Sequence, residues 1–492
     1  MPMRRNYQRS TWGASTAKAA LFLSLVVSLR SGAGSGWCQE PERAFRAGAA
    51  ASNITPPLGL SIAGNMHDST GSHIHDELFA RCLALDNGET RLAIVLVDSC
   101  MVPRDILDSA KNLIRGKTGI PPENVLIAAT HTHSAPAATP IFQSSPDPEY
   151  AEFLIRRVAD GVQRAVNNLE PARIGWGAGS EPSQVFNRRW RKKAGTIPPD
   201  PFGNTGDKVQ MNPPRASEDL LESAGPTDPE VSVVSVQSQE GRPIALLANY
   251  SLHYVGGVGS GHVSADYFGA FASRIEGLLG ADHLDPPFVG MLSNGTSGNI
   301  NNIDFKKPPE PRKPYEQIHL VARLVAEEAA RAAKGIEYNS WVPLKARASE
   351  IELGARLPKP EEVEAARTVM AKVEGPQMRT LPEIYAKETV DLSAYPARVT
   401  VPLQALRLGD LGICAIPCEV FVEIGLELKA RSPFKPTFTI ELANGYYGYL
   451  PTEEHHRLGG YETWRAKSSF LEVGAAAKIS AEVLRLLGDL KE

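Results

Sequence analysis

The stretch LIAATHTHSAPAATP, residues 126–140, places His131 and His133 two apart, directly after an apolar run. Imidazole exchanges protons and binds transition metals near neutral pH, so the pair offers either acid–base or metal chemistry. In an extended segment residues two apart point to one side. Both rings then face a single cleft just past the carboxyl end of a strand, where open α/β sheets place their ligands. An isolated H-x-H equally suits a pair of structural histidines. Three further segments release a polar residue at the end of an apolar run. IALLANYSLHYVGG puts His253 beyond a strand and leads through Gly-rich sequence to HVSAD, which holds Asp266. LGICAIPCE turns at Pro417 and offers Glu419, and TFTIELANGYYGYLPTEEHHRLGGYE runs into a cluster of tyrosines. Singly, each is an ordinary cap or loop residue. Together, two imidazoles and one carboxylate are the donor set of a catalytic zinc site with a position left for water or substrate. Asp266 at a helix start reads as a cap, with support of His253 as the other reading.

The elements that must carry these residues follow from apolar patterning. Strands are predicted over 92–97, 124–129, 231–237, 244–250, 287–292, 401–408, 411–416 and 437–442. Several are almost continuously apolar, as strands covered on both faces are. Helical patterns fall over 104–116, 148–169, 265–279, 316–335, 419–432 and 473–490, with a charged helix over 358–375. Strands alternating with helices predict an α/β fold with a mixed or parallel sheet covered by helices. The segments 189–219 and 305–316 are polar and rich in Pro and Gly and read as surface loops. The rhythm continues on both sides of them, so residues 45–492 read as a single large catalytic domain.

Composition narrows the function classes. The 492 residues are 42% hydrophobic and 22% charged, ordinary for a globular protein, and a net charge of −4 without a basic patch argues against nucleic acid as a partner. Arg4, Arg5, Arg9 and Lys18 precede an apolar run of eleven over 19–29, and small residues follow. That order is a secretory signal, so residues 1–38 are expected to be a signal peptide and short linker, and the protein secreted or periplasmic. A membrane anchor is the alternative, although the run is shorter than the roughly 20 residues a span takes. Five cysteines are too few for a disulfide scaffold; Cys414 and Cys418 suit either a bridge or plain buried thiols.

The motifs also resemble those of the neutral ceramidase family, the neutral/alkaline non-lysosomal ceramidases. THTHSAP (130–136) is similar to the family's THTHSGP signature, NYSLHYVGG to the segment with its second zinc histidine, and AIPCE to its AVPGE-like segment. NGYYGYLPTEEHHRLGGYE resembles the NxYxxYxxTxEEYxxQRYE pattern, and AGAAASNITPP the mature start. The resemblance runs from about residue 46 to the C-terminus, without the family's C-terminal immunoglobulin-like domain. It implies a Zn2+ ion held by His131, His253, Glu419 and Tyr449. His133 and Tyr461 are implied to stabilise the oxyanion, and Arg188, in FNRRW, to line the substrate pocket.

One position departs. Where the family carries GDVSPN with a catalytic serine, LSNGTSGNINNID (292–304) aligns Asn299 with the aspartate and Asn301 with the serine. An amide forms hydrogen bonds but is no acyl-transfer nucleophile. Zinc lowers the pKa of a bound water from 15.7 to roughly 7, so water can replace the serine as nucleophile. Asn301 and Asn299 are then expected to orient substrate. The expected activity is an exported, zinc-dependent hydrolysis of an amide, in an N-acyl lipid or another amide, with transient membrane-surface contact allowed. The Asn-rich loop 294–302 also suits an N-acetylated sugar. A carbohydrate-active enzyme using Asp266 and Glu419, and a binding protein that keeps the metal pocket without turnover, are the other readings.

Overall fold

Strand Val125–Ala129 shows how the apolar runs are used. Val125, Ile127 and Ala129 enter one core and Leu126 and Ala128 another. In Arg91–Val97, Ala93, Val95 and Val97 likewise face the first core, and Leu92, Ile94 and Leu96 the second. A period of two with both faces dry leaves no position for a polar residue. In this computed structural model, which describes residues 44–492, eight such strands form one mixed sheet. Their order is Val289–Asn294, Pro243–Tyr250, Glu230–Ser238, Glu170–Ser180, Arg46–Asn53, Phe79–Asp86, Arg91–Val97 and Val125–Ala129. The pairs at the two edges are parallel and the interior pairs antiparallel.

The inner face of this sheet is covered by a second sheet, not by helices. Leu344–Gly354, Arg398–Leu408, Leu411–Ile416 and Thr437–Glu441 form four strands, the last two parallel. Leu406, Ile413, Phe438 and Ile440 share a core with Ile94, Leu126, Leu247 and Met291. The large sheet curls so that residues of its edge strand Val289–Asn294 approach Val125–Ala129 at the other edge. Helices Arg104–Thr118 and Pro148–Asn167 cover one half of its outer face, and Asp266–Leu278 and Glu316–Ala333 the other. Val422–Arg431 and Ala475–Lys491 cover the outer face of the second sheet. The α/β class stands, in a single large domain, with helices outside and two sheets inside.

Within the two large sheets, four strands lie where no strand is predicted: Arg46–Asn53, Phe79–Asp86, Glu170–Ser180 and Leu344–Gly354. The first is mostly Ala, and the third carries Gly175, Gly177 and Gly179, all poor strand formers alone. Those glycines let the sheet approach helix Glu316–Ala333 and its end: a β-carbon at Gly175 would sit 2.3 Å from Ile336 Cγ2. The segment 189–219 is no simple surface loop. Arg189–Lys192, Val209–Met211 and Leu220–Ser223 pair into a small sheet, and Arg189 is fully buried. The export segment expected over residues 1–38 lies outside the described residues. Among the described residues no helix is long and apolar enough to cross a membrane. Cys414 and Cys418 are buried free thiols, as are Cys82 and Cys100.

Candidate metal centre

The carboxyl ends of strands from both sheets meet at one point. Val125–Ala129 leads to His131, Pro243–Tyr250 to His253, Val289–Asn294 to Ser297, and Leu411–Ile416 to Glu419. The histidine pair does not converge by simple alternation. His131 sits at φ 77°, in the left-handed region that a non-glycine residue avoids, and its N–H donates to the Ser99 carbonyl at 2.9 Å. The rings of His131 and His133 still meet edge to face, centroids 4.7 Å apart.

The hydrogen bonds decide which nitrogen faces inward. His131 Nδ1 lies 2.8 Å from the Cys100 carbonyl and His253 Nδ1 3.2 Å from the Ser297 carbonyl. A carbonyl only accepts, so each Nδ1 carries a proton and each ring turns its Nε2 into the centre. His131 Nε2 lies 3.0 Å from His253 Nε2 and 3.2 Å from His133 Nε2. Burial, and then the neighbouring His131, hold His133 and His253 well below the ordinary imidazole pKa. Glu419 is buried; Tyr446 donates its phenol O–H to Oε1 at 3.0 Å, while Oε2 has no hydrogen-bond partner. That orphan oxygen lies 3.4 Å from His131 Nε2 and 3.9 Å from His253 Nε2. Against burial, Cys100 and Glu419 raise His131 well above the ordinary imidazole pKa, so the gap between the two inward nitrogens and the carboxylate oxygen draws a cation, a proton or a metal ion in its place. His131, His253 and Glu419 form a group that can hold a metal ion, and the donor set fits zinc.

Tyr449 stands beside Glu419, its Cα partner across a short parallel bridge. Burial and the Glu419 charge raise its phenol well above the ordinary value, against the pull of Arg188. Arg188 donates from Nη2 to the Tyr449 hydroxyl at 3.1 Å and to the Gly298 carbonyl at 2.8 Å. Its Nε meets Glu462, which also binds Arg189. Tyr461 packs edge to face on Tyr449, centroids 5.7 Å apart. His133 stacks on Tyr254 at 3.6 Å, and Gly64 also lies against the residue, where a β-carbon would be 2.4 Å from Cγ.

The remaining predicted residues are engaged elsewhere. Asn301 donates from Nδ2 to Asn212 at 2.6 Å and accepts the Ile303 N–H at 2.9 Å. Asn299 accepts the Val422 N–H and donates to Glu423 Oε2, both at 2.9 Å, which anchors helix Val422–Arg431. Asp266 is buried and accepts the N–H groups of Val255, Gly256 and Tyr267, so it braces the loop after His253 and makes no hydrogen bond to that ring. It also borders a cavity of about 640 Å3 lined by His75, Asp76, Arg81 and Tyr315, which contains none of His131, His253 or Glu419.

Several residues that sequence reasoning did not assign to the site shape the centre. Tyr446 is the first tyrosine of YYGY, and Glu462 adjoins Tyr461. Ser297 and Glu441 form a buried pair at 2.7 Å, with the Ser297 hydroxyl also 3.3 Å from His253 Nδ1. Burial pushes Glu441 up to about 8. A carboxylate ending the apolar run TFTIE was a visible signal for it; Gly64 and Tyr254 carried none.

No family model matches the chain. Solved structures do match. A neutral ceramidase from Pseudomonas aeruginosa superposes with a TM-score of 0.69 at 18% identity, over 92% of this chain and 75% of that one. A ceramidase complexed with C2 gives a TM-score of 0.69 at 17% identity, over 92% and 76% of the two chains. The chain therefore has the fold of the neutral ceramidases, with two histidines and a glutamate gathered where its two sheets meet.

Proposed function

We propose that this chain is a zinc-dependent amide hydrolase of the ceramidase type, acting on an N-acyl lipid and exported through residues 1–38. The observation that carries the reading is the convergence of His131 Nε2 and His253 Nε2 on the unpaired Glu419 oxygen, inside a fold shared with ceramidases. His131, His253, Glu419 and Tyr449 would hold the ion. A zinc ion there supplies Lewis acidity toward the amide carbonyl and ionises water near neutral pH. The chain's own groups do the rest. His133, neutral and held against Gly64 and Tyr254, takes a proton from the attacking water and passes it to the leaving amine. Tyr461 donates its O–H to the oxyanion as the carbonyl becomes tetrahedral. Arg188, fixed by Glu462, holds the Tyr449 oxygen in place and stabilises negative charge on it. No serine nucleophile is required. Asn301 and Asn299 contribute by setting the path of the loop that presents Ser297 to His253.

The test is bound zinc in the purified chain and in His131→Ala and His253→Ala, together with turnover of a fluorescent ceramide. Both variants are expected to lose zinc and turnover together. Full zinc content in both ends the metal reading. Turnover of an N-acetylhexosamine instead of the lipid by the zinc-loaded chain ends the substrate reading.

A further inference from the structure

A second group of imidazoles lies apart from the centre. His73 and His75 are exposed, and His262 is half-buried beside them on a two-stranded parallel sheet, where His262 is the Cα partner of His73. One ring nitrogen from each of the three lies within 4.8 Å of the others. The arrangement is built rather than incidental. His262 Nδ1 meets the Tyr315 hydroxyl at 2.6 Å, and His75 stacks on the same phenol ring at 3.5 Å and 12°. The His262 ring lies on Gly259, where a β-carbon would sit 2.5 Å from Cε1. The nearby carboxylates are committed elsewhere: Asp76 accepts from Ser264 and the Ala265 N–H, and Glu77 from Asn53. None of those hydrogen bonds reaches a ring of the cluster, so the three imidazoles keep nitrogens that can coordinate, with open positions toward solvent.

We propose that His73, His75 and His262 form a second metal site, for a divalent ion of the zinc or copper type bound by three imidazoles and solvent. Imidazole without thiolate or carboxylate selects those ions over magnesium and calcium. The Tyr315 hydroxyl engages His262 Nδ1, so Nε2 is the ring nitrogen left for the ion and the phenol is the outer support of a metal-binding histidine. The site also ties two parts of the chain together. His262 ends the loop that begins at His253, a loop containing Gly256, Gly257 and Gly261 at positive φ. Asp266 holds the near end of that loop through Val255 and Gly256, and an ion on the three histidines clasps its far end to the segment bearing His73 and His75.

The experiment uses the full chain, stripped of metal and titrated with Zn2+. Wild type binds one more ion than His73→Gln/His75→Gln, and the His131→Ala/His253→Ala chain keeps that ion. This separates the outer site from the central one. Equal stoichiometry in wild type and the His73→Gln/His75→Gln chain overturns the proposal. With Cu2+, electron paramagnetic resonance of wild type is expected to show imidazole nitrogen couplings that the double variant lacks; identical spectra overturn it. Amide exchange over residues 254–262 slows on Zn2+ addition in wild type and not in the variant, and equal exchange in both overturns the clasp.

Discussion

Replacing Tyr446 by Phe tests the metal centre through a residue outside the proposed ligand set. The Tyr446 O–H at 3.0 Å is the hydrogen bond that holds Glu419 Oε1, and it leaves Oε2 toward the two imidazoles. Phe keeps the ring and deletes that one donor. Loss of a hydrogen bond to a charged group removes about 1.5–3 kcal/mol, and Oε1 is left buried without a partner. Outer-shell partners of metal ligands are worth about 10–100-fold in affinity, or roughly 1.4–2.7 kcal/mol, so the two estimates agree. The assay is competition for Zn2+ against a chromophoric chelator at neutral pH. The control is Tyr447→Phe, which removes a part-buried hydrogen bond, to the Thr400 carbonyl at 2.7 Å, without touching Glu419. Tyr446→Phe is expected to weaken zinc binding by about 10–100-fold while Tyr447→Phe leaves it unchanged. Equal affinity in wild type and Tyr446→Phe would refute the reasoning, because an unsupported Glu419 would then be no worse a ligand.

Three further outcomes are expected. Gly64→Ala places a methyl group 2.4 Å from the His133 ring at a backbone φ of 102°, so turnover drops by about 100-fold while zinc content stays; loss of zinc would show His133 displacement spreading to His131. Glu462→Gln leaves Arg188 and Arg189 buried without their shared counter-charge and destabilises the fold by about 3–5 kcal/mol, a claim that a denaturant midpoint near wild type would sink. Lys111 is buried on helix Arg104–Thr118, and burial pulls its pKa from 10.5 down to about 8. Because the depressed value disfavours the charged form in the fold, the cost is full below pH 8, fades between 8 and 10.5 and is gone above. Lys111→Met therefore stabilises by about 3 kcal/mol at pH 7 and by nothing near pH 11, as melts across that range will show; a gain independent of pH contradicts it.

How much was legible in the sequence depends on how local each feature is. The strand Val125–Ala129 and helix Pro148–Asn167 announce themselves, because burial on both faces or on one stripe writes a period into neighbouring residues. The runs 401–408, 411–416 and 437–442 were equally visible as strands, but nothing in them says that they form a separate sheet packed inside the first. Arg46–Asn53 was invisible because Ala carries no strand preference, and only its neighbours hold it extended. His131, His253 and Glu419 could be named as candidates because each follows an apolar run. Their inward nitrogens could not be assigned, since that depends on the Cys100 and Ser297 carbonyls. Asn301 aligns with the serine of the family pattern, yet where its amide points depends on Asn212, a distant residue.

Residue types and short-range spacing by themselves determined the α/β class, most of its helices and long strands, and a set of donors suited to zinc. Only the tertiary structure decided that the two sheets close on each other and that His131 turns inward through a left-handed backbone. The same holds for the outer histidines, which meet because residues 73–74 pair with 262–263. The physical reason is that periodicity is enforced between residues a turn or a pleat apart, whereas a metal site is enforced between carbonyls, carboxylates and rings that only packing brings within reach.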